Sequence, residues 1–233
     1  MMEELPKVAM VVTPHPDDAE IGCGGTVASW TKQGVEVFYV LATNGDKGSS
    51  DPKMTSARLA RTREREQAAA ARALGVKEVV YLRHPDGELE DNREFRGEVV
   101  RAIRKFKPDV VLCNDPFRRT SSVHRDHRVT GQVTLDAVYP YARDRMHFPE
   151  HLKEGLETHK VGWVYMWGTD EPTVFIDIKD TLDLKIKSFL KHKSQVGNPE
   201  RDPGQFIRSG AARMGERGNL EYAEGFRVIE LRR

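Results

Sequence analysis

For its first two-thirds the chain alternates two kinds of hydrophobic pattern. Residues 8–12 (VAMVV) form an unbroken apolar run, as in a parallel strand covered on both faces. Residues 26–32 predict a short helix that ends near Gly34. Residues 35–41 (VEVFYVL), β-branched and aromatic, predict a second strand. A glycine-containing loop, residues 42–48, follows it. Residues 55–74 predict a long helix stopped by Gly75, and residues 78–82 a third strand running into the turn His84-Pro85-Asp86-Gly87. An amphipathic helix over 95–106 and a fourth strand over 109–113 complete a β-α-β-α-β-α-β series, which right-handed crossovers fold into a mostly parallel sheet.

Later signals are less regular. A helix is predicted over 128–138, strands over 161–167 and 173–178, and a helix over 181–193. Residues 196–217, rich in Gly, Pro and charge, read as a loop or lid. The last strand falls at 227–229. No repeat or linker divides the chain, so one domain over residues 1–233 is expected. The fold class is α/β: a Rossmann-like, mostly parallel sheet with helices on both faces.

Bulk properties exclude several classes. With 37 Lys+Arg against 36 Asp+Glu there is no global field to draw nucleic acid or a membrane surface. No apolar stretch is long enough to span a bilayer, and the first residues lack the basic start and apolar core of a secretory leader. Cys23 and Cys113 belong to no CxxC pair and end apolar runs, so both read as small buried hydrophobes. A cytoplasmic protein is expected.

The chemistry lies where strands hand over to helices. His15, Asp17 and Asp18 follow the first predicted strand, in the stretch TPHPDDAEIGCGG. A second cluster, SSVHRDH at 121–127, follows the fourth and brings His124, Asp126 and His127. In an open α/β sheet, ligands bind outside the carboxyl ends of strands. His15, Asp18 and one of His124/His127 make a three-ligand set, the protein share of a catalytic zinc site. Asp17 is then left as general base. The remaining histidine would stabilise an oxyanion as a cation, oriented by Asp126. The bland alternative makes the carboxylates helix caps and the second cluster a solvated turn. The GCGG run does not fit GxGxxG and reads as close helix–sheet packing rather than a dinucleotide site. His192 and Gln195 either reach the site from a late helix or cap its end. Trp163, Tyr165 and Trp167 put aromatics on one strand face.

PHPDDAEIGCGG and HRDH closely resemble the two signatures of the LmbE-like, PIG-L type zinc-dependent N-deacetylases. Weaker matches at Arg63-Glu64-Arg65-Glu66, Pro85-Asp86-Gly87, Lys107-Pro108-Asp109 and His192-Lys193-Ser194-Gln195 carry the resemblance over residues 7–195. It implies a hydrolase that removes acetyl from an N-acetylglucosamine-type conjugate. His15, Asp18 and His127 would ligate Zn2+ (Fe2+, Co2+ or Mn2+ also suit the donors). Asp17 would be the base, His124 the oxyanion stabiliser and Asp126 its tuner. Arg63 matches a position near substrate. Asn44 and Asp46, on a strand-end loop, suit sugar hydroxyls or merely a tight turn. Ala19, inserted before Glu20, resembles the branch acting on soluble conjugates or chito-oligosaccharides, and Arg125 stands where Pro is common. Trimers or hexamers are implied. Cleavage of a thiol-sugar amide, or metal sensing without turnover, are the alternative functions.

Overall fold

A computed structural model describes residues 4–120, 123–196 and 202–231. Seven strands form one sheet: β1 (Val8–Thr13), β2 (Glu36–Thr43), β3 (Glu78–His84), β4 (Val110–Asn114), β5 (Trp163–Trp167), β6 (Val174–Asp177) and β7 (Ala223–Glu230). Their order is β3-β2-β1-β4-β5-β7-β6. Pairings from β3 across to β5 are parallel, while β7 runs antiparallel between β5 and β6. The chain leaves β1 toward β2 and later returns to β4 on the other side. The carboxyl ends of β1 and β4 therefore flank the topological switch point, where open α/β sheets bind ligands.

Period-two alternation explains the layers. Ala9 and Val11 of β1 face α1 (Asp18–Lys32) and α2 (Ser56–Ala73), joining Val27, Trp30 and Leu74. Met10 and Val12 face α3 (Arg93–Phe106) and α4 (Arg125–Asp136), joining Phe95, Val99, Ile103 and Val133. Both faces are thus covered, as the apolar run of β1 requires. Cys23 and Cys113 are free, buried and on opposite faces, and burial pushes both thiols up. Tyr165 and Trp167 lie in the core beside Trp30 and Phe226. Short helices α5 (Pro149–Lys153), α6 (Leu182–Phe189) and α7 (Lys193–Val196) precede α8 (Pro203–Gly218). Among the described residues, no helix is long and apolar enough to cross a membrane.

Two elements differ from expectation. The first helix begins at Asp18, well before residue 26, and bends at Cys23. Its glycines are packing devices: a Cβ on Gly22 would lie 2.4 Å from the Trp167 indole, and one on Gly25 2.7 Å from Ile178. The expected loop at 196–217 is largely helix α8. Asp202 caps it by accepting from the Gln205 N–H, and Pro203 opens its first turn. Residues 197–201 of that segment lie outside the described residues, as do Ser121 and Ser122.

Candidate active site

The β1–α1 turn carries His15, Asp17 and Asp18. Pro14 and Pro16 flank His15, and Asp17 takes a left-handed backbone at φ 100°, ψ −25°. For a non-glycine residue this costs about 1–3 kcal/mol and persists only where surroundings hold it. Although Asp17 occupies the cap position of α1, its side chain makes no capping bond. It faces Arg63 instead, at 3.5 Å. Burial and the neighbouring Asp18 carboxylate push the Asp17 carboxyl up to about 7, against the lowering effect of Arg63.

His15 is the hub. Its Nδ1 lies 3.0 Å from Asp18 Oδ2, and its Nε2 lies 3.1 Å from both Asp126 Oδ2 and Asp86 Oδ1. Burial opposes a charge on this imidazole, yet the hydrogen bonds it donates to Asp126, Asp18 and Asp86 raise it to about 11. Burial also opposes ionisation of Asp18, but hydrogen bonds from His127 and His15 hold it well below the usual carboxylate range. His127 completes the near side: its Nε2 is 3.2 Å from Asp18 Oδ2, and the Asn114 amide lies 3.3 Å from its Nδ1. Three candidate donor residues therefore converge, His15, Asp18 and His127, each offering a ligand atom within 4.8 Å of the others.

His15, Asp86, His124 and Asp126 make a second group sharing His15. The two groups complement each other. An ion on the Nδ1 side leaves His15 Nε2 held by carboxylates, the outer arrangement that fixes metal-binding histidines. Asp126 is wholly buried, and its Oδ2 also takes the Gly87 N–H at 2.7 Å. Its Oδ1 is buried without a partner. Such a concentration of carboxylate around two imidazoles suits a small cation.

His124 is half exposed at the mouth, with its ring 4.8 Å from that of His15. Its Nδ1 accepts the Asp126 N–H at 3.2 Å, which caps α4. That contact requires an unprotonated Nδ1 and leaves the ring proton on Nε2, so His124 is placed as a one-proton donor rather than the cation expected from the sequence. The Asp126 carboxylate stands 4.0 Å from the same nitrogen.

Substrate candidates are placed differently. Arg63 is buried on α2 and donates to Pro16 O at 2.7 Å and Gly45 O at 3.1 Å, bracing the loops that frame Asp17. Asp46 accepts the Asp86 N–H at 2.9 Å, and Asn44 Oδ1 accepts the Asp46 N–H at 3.1 Å. These two residues shape the loop beneath Asp86. The sequence reading missed Asp86 itself, since Pro-Asp-Gly is fully explained as a turn. The signal that finds it is position: it follows β3 at the same sheet edge as His15.

An α/β fold with a His/Asp donor cluster at its switch point defines a class of protein with an open metal site at the sheet's carboxyl edge. A family model described as PIG-L, GlcNAc-PI de-N-acetylase, matches residues 10–138, which include every residue of both clusters. Diacetylchitobiose deacetylase of Thermococcus kodakarensis is 34% identical over 224 residues, covering 96% of this chain and 83% of that protein. A probable N-acetyl-alpha-D-glucosaminyl L-malate deacetylase 2 of Bacillus anthracis is 30% identical, covering 80% of each. The solved structure of N,N'-diacetylchitobiose deacetylase from Pyrococcus horikoshii superposes with a TM-score of 0.91 at 34% identity, over 97% of this chain and 84% of that one. The chain belongs to the PIG-L family.

Proposed function

We propose that this protein is a zinc-dependent hydrolase that removes the acetyl group from an N-acetylglucosamine-type conjugate. The convergence of His15 Nδ1, Asp18 Oδ2 and His127 Nε2 beside the Asp17 carboxyl carries the proposal. Family membership and the activities named for its relatives, on diacetylchitobiose and a glucosaminyl malate, set the substrate class.

His15, Asp18 and His127 would hold the cation. When bound, it supplies Lewis acidity that brings the ionisation of water into the neutral range. Asp17, with its carboxyl pushed up to about 7, takes a proton from the attacking water and returns it to the departing amine. His124, protonated on Nε2, donates to the acetamide oxygen as negative charge develops there. Asp126 holds both histidines: His15 through its carboxylate and His124 through its backbone N–H. Arg63 keeps a positive charge against Asp17 so that the base still ionises near neutrality.

Acetate release from N-acetylglucosamine and its oligosaccharides tests this reading. Asp17→Asn should lower the rate by about 10²–10⁴-fold with metal content unchanged. Full activity in that variant refutes the assignment. Metal binding with no acetate release from any glycan favours a sensor.

A further inference from the structure

Three buried polar side chains on separate elements form a line that ends on the backbone of Asp17. The Asp17 N–H donates to Gln67 Oε1 on α2 at 3.2 Å. Gln67 Nε2 donates to Glu20 Oε1 on α1 at 2.9 Å. Glu20 Oε2 lies 3.2 Å from Nε2 of His192, in the α6–α7 connection. Glu20, Gln67 and His192 are all fully buried, and His192 Nδ1 has no partner. Burying a carboxyl, an amide and an imidazole together is costly unless each contact is made.

The line ends on a strained residue. Asp17 is held in a left-handed conformation, and its N–H must have a partner there. Gln67 supplies that partner, while Glu20 fixes which end of the Gln67 amide faces Asp17. We infer that Gln67, Glu20 and His192 are positioning residues for the Asp17 carboxylate, tying the C-terminal helices to the base. None of the three belongs to the convergent donor groups. Their loss should therefore lower kcat without changing KM or metal content. A misplacement of about 1 Å in a reacting group can cost about 100-fold in rate.

The inference rests on Asp17 as general base, so Asp17→Asn is measured in parallel. Gln67→Ala should reduce kcat by about 10–100-fold, with KM within about twofold of wild type and metal stoichiometry intact. Gln67→Glu keeps an acceptor for the Asp17 N–H but sets two carboxyl groups face to face, and should lose a similar factor. Adding Glu20→Gln restores a donor to that contact and should recover kcat to within about fivefold of wild type, a rescue that also serves if Gln67→Ala fails to fold. A folded Gln67→Ala enzyme with unchanged kcat, or an exchanged pair that folds but stays as slow as Gln67→Glu alone, overturns the inference. If Asp17→Asn is itself fully active, the base assignment fails instead.

Discussion

Replacing Arg63 with Met separates its two possible roles, tuning the base or contacting sugar. The guanidinium is 3.5 Å from Asp17 Oδ2, and the two side chains are 5% and 16% exposed. At an effective dielectric of about 20, two unit charges at that distance interact by roughly 5 kcal/mol, a ceiling on the effect. An adjacent arginine lowers a carboxyl by about 1–3 pH units in practice. The sign follows from the chemistry. Asp17 acts as a base only when ionised, so kcat/KM rises with pH through its ionisation. Removing the cation raises that pKa, and the acidic limb moves to higher pH by about 1–3 units. With half of the wild-type carboxyl ionised near pH 7, the variant should lose about 5–500-fold there, most of it regained at alkaline pH. The Pro16 and Gly45 carbonyls also lose a donor, at about 1–3 kcal/mol of stability each. The assay is kcat/KM for acetate release from pH 5 to 9.5 at saturating metal. An unmoved limb with a raised KM refutes the tuning role and gives Arg63 to the substrate.

Asp126→Asn weakens the hold on His15 Nε2 and should lower metal affinity by about 10–100-fold, read by competition with a chromogenic chelator. Arg104 is 1% exposed and donates to the carbonyls of Tyr141, Ala142, Asp144, His147 and Phe148; Arg104→Met should cost about 3–5 kcal/mol in urea unfolding while kcat per folded molecule holds. Gly22→Ala drives a methyl into the Trp167 indole and should cost about 1–3 kcal/mol, visible as a lowered Tm.

The sequence exposes the parallel half of the fold because each strand there is a local apolar run and each crossover a local helical pattern. It exposes the site because both clusters follow such strands, and the β1–β4 pairing brings them together. Three things were hidden. The GCGG run reads as close helix–sheet packing, and Trp167 and Ile178 are what it packs against; what stays hidden is that α1 starts ahead of that run, at Asp18. Helix α8 was obscured by its glycines, although Asp202-Pro203 is a start signal in its own right. The insertion of β7 between β5 and β6 is a long-range pairing with no local trace. In the site, the chain did not show that Asp86 joins Asp126 on His15, nor that Arg63 turns inward to Asp17 rather than outward to solvent ion pairs. Both follow from the loops at the ends of β2 and β3 folding over the β1 turn.

The proposed metal site hydrolyses an N-acetyl amide. Metal content and acetate release from N-acetylglucosamine and diacetylchitobiose, measured on one preparation before and after chelation and zinc return, test it most directly. About one zinc per chain is expected, with loss of acetate release on chelation and its recovery with zinc. Acetate release that survives complete metal removal, or a folded protein that binds no divalent cation, would contradict it.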